Sequence, residues 1–486
     1  MFQSTRSSLT ADAHYAVLHG LAPDGGLYVD PDISGREFDV KSCLSLSYCE
    51  MAKKIIAHLL PGFGDAVQNG VDAYLNKFST SEITPLVKVG DDYILELFHG
   101  PTSAFKDVAL TVLPYLVTEA KSACGVSGQV SVLTATSGDT GKAALEGFHD
   151  VPGTDITVFF PNGGVSAMQR MQMVTQEGSN VRVCAVNGNF DDCQRGVKET
   201  FSLAAAGKLT GSEGKFFSSA NSINIGRLVP QAVYYFYAYS KLLQEGQISF
   251  GDTVDYVVPT GNFGDILAGY LAKLMGLPVG RLVCASNSNN VLYDFITTGT
   301  YDRRRDFLKT VSPSMDILVS SNLERLLFYA SGCSTDAVAK YMSELNKSGV
   351  YSVSGDILAN IQGSFSAGYA SETDCLAAIG KLWNDYGYLC DTHTAVAYSV
   401  LEGYKASREG DAPCVVLSTA SPFKFPVAVM KAIGGDASGD DFETALKLSE
   451  ATGVPVPKNL ASLAAKPVLH SDVIEINDIT NYCLEG

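Results

Sequence analysis

No stretch of this 486-residue chain stays apolar long enough for a membrane-spanning helix, and no apolar signal core follows Met1-Phe2-Gln3-Ser4-Thr5-Arg6. Positive charge is scarce. The 35 Lys and Arg stand against 52 Asp and Glu, for a net charge of −17. Such a balance repels nucleic acid and anionic lipid in bulk. An anionic small molecule would therefore need a local positive site working against the global field. None of the 11 cysteines form a Cys-x-x-Cys pair, and their scatter (Cys43, Cys184, Cys284, Cys390 and others) gives no metal-ligand spacing. An odd, dispersed set of thiols suits free cysteines in a reducing cytoplasm rather than a disulfide framework. Internal repeats, low-complexity tracts and long charge runs are also missing. The expectation is a cytoplasmic protein with no nucleic-acid or membrane partner; its oligomeric state is left open.

What is present is an ordinary globular composition, 46% apolar and 18% charged. The length suits two to four domains of roughly 100–200 residues each. Residues 1 to about 85 read as mostly helical, with periodic Cys43–Leu60 stopped by Pro61-Gly62. Beyond them, apolar strands alternate with helices. The strands are expected at Tyr93–Leu97, Gln129–Thr134, Ile156–Pro161, Val181–Val186, Thr253–Pro259, Arg281–Ser286 and Cys414–Ser418. The helices between them include Ala143–Phe148, Val165–Glu177, Asp191–Ala206 and Arg227–Glu245. This alternation predicts parallel sheets covered on both faces, with ligands at the carboxyl ends of the strands. The polar tail after about Gly435 reads as a peripheral helical extension.

Three loops that follow strands carry chemistry. Thr260-Gly261-Asn262-Phe263-Gly264-Asp265 leads into a helical run, Ile266 to Met275. Its glycines allow a tight turn, and the helix start offers free N–H groups to a phosphate, or the loop is simply a strand–turn–helix connection. The spacing is neither a P-loop nor a dinucleotide fingerprint, so a single phosphate suits it better than a pyrophosphate. Phe98-His99-Gly100-Pro101-Thr102-Ser103-Ala104-Phe105-Lys106-Asp107 places Lys106 at a helix start, where a cation is disfavoured. A Schiff-base lysine needs such a lowered pKa. The alternative is a surface lysine laying its stem over Phe105. Ala135-Thr136-Ser137-Gly138-Asp139-Thr140-Gly141 makes an anion site at another helix start, suited to a carboxylate, or simply an N-cap.

Taken together, these segments resemble the signatures of threonine synthases. Leu97–Asp107 resembles the cofactor-lysine motif, Thr134–Gly141 the substrate loop, and Pro259–Asp265 the cofactor-phosphate loop. Asn221–Arg227 and Gly20–Val29 resemble further signatures, in family order from about residue 4 to about residue 430. The longer enterobacterial and fungal subgroup is the nearest in form. The resemblance implies an α/β protein of fold type II among pyridoxal phosphate enzymes. Two parallel-sheet α/β domains would join a mostly helical amino-terminal domain at 1–85. The large cofactor domain would comprise 86–106 and 226–434, the small domain 107–225, and the peripheral tail 435–486.

By the same resemblance, Lys106 holds pyridoxal 5′-phosphate, and Gly261, Asn262, Phe263, Gly264 and Asp265 hold its phosphate. Thr419 faces the ring nitrogen. Thr136, Ser137, Gly138, Asp139 and Thr140 take the substrate carboxylate. Asn221, Ser222, Asn224 and Arg227 are candidates for the substrate phosphate, or else cap and anchor the helix that follows. Lys424 is a lesser phosphate candidate, and His99 and His393 are acid–base helpers that an isolated histidine seldom proves to be. The implied reaction turns O-phospho-L-homoserine and water into L-threonine and phosphate by γ-elimination and β-replacement. The alternative is a phospho-lyase with the same motifs, releasing 2-oxobutyrate, ammonia and phosphate. The chain departs from the subgroup's Thr-Ala-His-Pro-Ala-Lys-Phe, carrying Ser421 for the histidine and Phe423 for the second alanine.

Overall fold

The computed structural model describes residues 1–212 and 214–484. Strands β1 (Phe2–Ser4), β2 (Thr10–Ala11) and β3 (Tyr28–Val29) form a small antiparallel sheet at the amino terminus, in the order β2-β1-β3. The helices that follow, among them Tyr48–Leu59 and Asp65–Asp72, pack this region against the rest of the chain. The helix Tyr48–Leu59 starts at a Ser47/Glu50 capping box, in which each side chain satisfies a backbone N–H of the other's region. Its buried face (Met51, Ala52, Ile55, Ile56, Leu59) repeats at helical spacing.

The large sheet has six strands: β4 (Leu86–Val89), β5 (Asp92–Glu96), β10 (Val254–Pro259), β11 (Val279–Ser286), β14 (Phe365–Tyr369) and β15 (Cys414–Ser418). Their order is β14-β11-β10-β15-β5-β4, all parallel except β4, an antiparallel edge on β5. Every residue of β10 and β15 is buried, as expected of central parallel strands covered on both faces. The small sheet is wholly parallel. It runs β16-β8-β7-β6-β9, with β6 (Gln129–Ala135), β7 (Thr154–Pro161), β8 (Val181–Asn187), β9 (Lys215–Ser219) and β16 (Asp472–Glu475). A hairpin, β12 (Thr300–Asp302) with β13 (Val350–Ser352), stands apart.

Two expectations need correcting. The tail is not a purely helical extension: β16 extends the small sheet along β8, and helix Ile479–Leu484 buries Ile479, Tyr482 and Cys483 in the core behind it. The long helix expected over Arg227–Glu245 is broken. Ile225–Leu228 passes through a 3-10 turn, Val229–Gln231, before Ala232–Gln244. Pro230 has no N–H to give to a continuous helix. No helix among the described residues is long and apolar enough to cross a membrane.

The topology delivers four loops to one place. The carboxyl ends of β5, β6, β10 and β15 lead to the segments of Lys106, Thr136–Thr140, Thr260–Asp265 and Thr419.

Candidate active site

Lys106 is the first residue of helix Lys106–Ala123 and is only 8% exposed. Its Nζ lies 4.4 Å from the centre of the Phe105 ring and 3.7 Å from Asp139 Oδ2. Burial lowers its amine to about 8; Asp139 opposes this, while the cations of Arg227 and Lys424 reinforce it. The approach to the lysine is fixed by Asp107. Its carboxylate accepts the Thr102 N–H at 2.8 Å and the Thr102 hydroxyl at 2.6 Å. Burial pushes the Asp107 carboxyl up to about 6 against those bonds. The N–H of Phe105 donates to the carbonyl of Thr419 at 2.8 Å, so the lysine loop and the end of β15 are laced together.

Asp139 begins helix Asp139–Phe148 and is almost completely buried. Burial works against its charge, but Lys424 and Lys106 outweigh that and hold its carboxyl well below the usual range. Lys424 Nζ is 2.6 Å from Oδ1, and Gln169 Nε2 donates to the same oxygen at 2.8 Å. Ser314 Oγ donates weakly to Oδ2 at 3.4 Å.

The loop after β10 reaches helix Gly264–Leu274. That helix has no side-chain cap, so its first-turn N–H groups have no partner within the helix. Phe263, buried, takes a left-handed conformation (φ 61°), uncommon for a bulky residue. The strain is held by the facing segment. Ser320 Oγ donates to the Gly261 carbonyl at 2.8 Å, and Asn322 donates to the Asn262 carbonyl through its backbone N–H (3.1 Å) and Nδ2 (3.0 Å). A Cβ on Gly261 would lie 2.5 Å from the Ser314 carbonyl oxygen, so only glycine fits there. Asp265 holds its carboxylate against two buried tyrosines. Its Oδ1 accepts the Tyr234 hydroxyl at 2.5 Å and the Tyr235 hydroxyl at 3.0 Å, leaving Oδ2 buried and unpartnered. Burial raises this carboxyl to about 6 despite the tyrosines.

Lys106, Thr136, Ser137, Asp139, Thr140, Asn221, Ser222, Arg227, Thr419 and the whole run Gly261–Asp265 line a single cavity. Two expected residues do not. Gly138 turns the chain (φ 136°) and gives its N–H to Thr136 Oγ1 at 2.9 Å. Asn224 is wholly buried and spent on the fold. Its Nδ2 donates to the carbonyls of Val17 (2.8 Å) and Ser219 (3.0 Å), while Oδ1 caps Gly226. The expected ligand role of Asn224 thus gives way to the capping alternative. Arg227 differs. It is buried, gives one hydrogen bond to the Ala220 carbonyl at 2.8 Å, and has no carboxylate partner among the described residues. Its Nε has no partner, and burial lowers its guanidinium to about 10.

Sequence reasoning undervalued three groups. Lys424 is sealed between Asp139 and the Thr102 carbonyl (3.2 Å), so it cannot be the phosphate ligand once considered. His393 lines the cavity as part of a dyad. Its Nδ1 is 2.8 Å from Asp391 Oδ1, and its Nε2 accepts the Ser314 N–H at 3.1 Å. The signal available was Asp391-Thr392-His393 at a helix start. Gln169, which braces Asp139, carried none. His99 instead pairs with Glu96 at 2.7 Å, outside the cavity lining. Ser421 caps the turn Pro422–Lys424 and Phe423 is packed in the core; both keep Lys424 in place.

An uncapped helix start, a glycine cradle, a buried lysine of lowered pKa and an unpaired buried arginine in one cavity fit pyridoxal phosphate with a second anion beside it. The fold and site define a pyridoxal-phosphate dependent enzyme, and a family profile of that description matches residues 83–420. Two more profiles, "Threonine synthase N terminus" and "Threonine synthase, C-terminal", match residues 1–66 and 394–480. The chain belongs to the threonine synthase family. The threonine synthase of Pseudomonas aeruginosa is 40% identical over 430 residues, 87% of each chain. Threonine synthase-like 1 of Macaca fascicularis is 39% identical over 476 residues, 95% of this chain but 62% of that longer protein. The structure of threonine synthase from Brucella melitensis superimposes with a TM-score of 0.86 at 36% identity, covering 99% of this chain and 98% of that one.

Proposed function

We propose that this chain is a threonine synthase, a carbon–oxygen lyase that converts O-phospho-L-homoserine and water to L-threonine and phosphate. The observation that carries the reading is Arg227, a buried cation without an anionic partner among the described residues, lining the same cavity as Lys106. A cofactor phosphate alone would be served by the helix start of Gly264–Leu274; the unpaired arginine calls for a second anion, which the substrate phosphate supplies.

Bound pyridoxal phosphate supplies a conjugated ring that takes up charge from the substrate's Cα. Lys106 would hold the cofactor, and its amine, lowered to about 8 by burial, would accept the proton that leaves Cα. The backbone of Gly261–Asp265 would hold the cofactor's phosphate, and Thr419 would offer its ring a hydroxyl rather than a carboxylate. The hydroxyls of Ser137 and Thr140, with the N–H groups of their loop, take the substrate carboxylate. Asp139 does not, because its charge is already committed to Lys424. Arg227, with Asn221 and Ser222, takes the substrate phosphate and orients it as leaving group. The 11 free cysteines, most of them buried, support a cytoplasmic setting.

The relatives called threonine synthase-like give a second reading, a phospho-lyase. Incubating the purified protein with O-phospho-L-homoserine separates the two. Threonine with equimolar phosphate is the expected outcome. Phosphate with 2-oxobutyrate and ammonia, and no threonine, would overturn the synthase reading in favour of the lyase.

A further inference from the structure

We infer that Lys424 sets the charge state of Lys106 through Asp139, as a positioning residue that never touches the ligands. This deepens the reading above, since it rests on Lys106 being the reactive amine.

Lys424 is completely buried and absent from the cavity lining. A lysine so placed has no access to solvent, so its charge needs a partner. It has one: Asp139 Oδ1 at 2.6 Å, with the Thr102 carbonyl at 3.2 Å. The other oxygen of Asp139 is 3.7 Å from Lys106 Nζ. One carboxylate therefore lies between two lysines. Gln169 holds it in place at 2.8 Å. A single negative charge shared with Lys424 cannot also hold Lys106 fully protonated, and Lys424 adds direct repulsion. Other charged groups act on the lysine or its neighbours from every side. Arg227 from helix Ile225–Leu228 adds to the repulsion, and Asp265 from helix Gly264–Leu274 opposes it. Asp107 lies next along the chain, within the field of Lys424. His393 from helix Thr392–Ser407 acts on Asp139. Besides Lys106 itself, only Lys424 among the described residues forms an ion pair with the carboxylate. Burial lowers the amine, and a residue 318 positions further along the chain (424 − 106), on the turn after β15, keeps Asp139 from raising it again.

The test uses the full chain freed of cofactor, with Lys106 trace-labelled by acetic anhydride across pH and quantified by peptide mass. This reads Lys106 itself, so its result does not depend on which reaction the enzyme performs. In Lys424→Gln the amide can still donate to the Thr102 carbonyl, but the charge is gone. The labelling midpoint is expected to rise by about one pH unit, cutting the neutral fraction at neutral pH about tenfold. Asp139→Asn is expected to move it the opposite way, and Lys424→Arg to restore the parent midpoint. A midpoint unmoved in Lys424→Gln while Asp139→Asn shifts it would overturn the inference. So would an upward shift in Lys424→Arg as large as in Lys424→Gln, since a general disturbance of the turn would then be the cause.

Discussion

Arg227 and Lys424 are both buried cations within reach of Lys106's electrostatic field, yet the fold treats them in opposite ways. Lys424 has a carboxylate at 2.6 Å and no place on the cavity wall. Arg227 stands on the wall, its Nε and its charge without a partner among the described residues. Burying an unpaired charge is costly, so Arg227 stores free energy that an incoming anion releases, whereas Lys424 has already settled with Asp139. A cation's partner, rather than its burial, separates a ligand-binding group from one that tunes its surroundings.

The comparison can be broken experimentally. The largest effect should come from the lysine on which both cations act. Lys106→Ala should lower turnover by about 10³-fold or more and abolish the absorbance of the lysine-bound cofactor. An intact absorbance band in that variant would remove the basis of the site. Next, Lys424→Met should destabilise the chain by about 3 kcal/mol in urea, because a buried carboxylate loses one of its two cations. Arg227→Met should act on function instead. Its kcat/KM for the phosphorylated substrate should fall about 100-fold, while unfolding without ligand stays within about 1 kcal/mol of the parent. If Arg227→Met were as unstable as Lys424→Met, the distinction between them would collapse. Inorganic phosphate at 100 times its Kd should stabilise the parent by about 2.7 kcal/mol and the Arg227→Met variant measurably less.

The mildest effect is the pH dependence of cofactor capture. Only neutral Lys106 reacts, and its pKa is lowered to about 8. Below that value each unit of rising pH should speed capture by the cofactor-free protein about tenfold, levelling above it. A stopped-flow profile that keeps rising toward the ordinary lysine pKa would show that burial does not tune this amine.

The legible parts of the molecule are those in which neighbouring residues carry the chemistry. The runs at β10 and β15 announce themselves as largely apolar strands, and the loops behind them and behind β5 carry glycines, hydroxyls and Lys106 in plain order. Three of the strands that escaped notice lack that signal. β9 is Lys-Phe-Phe-Ser-Ser, β14 contains a serine and a glycine, and β16 is Asp-Val-Ile-Glu in a polar tail. They become strands because a sheet edge offers them partners, which is a tertiary cause. The ion pair of Lys424 with Asp139 joins residues 285 apart (424 − 139), and no local pattern marks either as belonging to the other. The double use of Asn224's amide similarly depends on Val17, which belongs to the amino-terminal region.

β16 has a consequence for how the chain comes to be folded. The small sheet's other four strands lie within residues 129–219, but its edge beside β8 is closed by Asp472–Glu475, and Asn187 meets Glu475 across 288 residues. During synthesis, β8 emerges long before its neighbour and must wait with an unpaired parallel edge while four of the large sheet's six strands (β10, β11, β14 and β15) are made. Long-range parallel pairing is slow to form, and an open edge is a template for other chains. The interval between translating β8 and β16 is therefore the time at which a nascent chain of this protein is most exposed to aggregation.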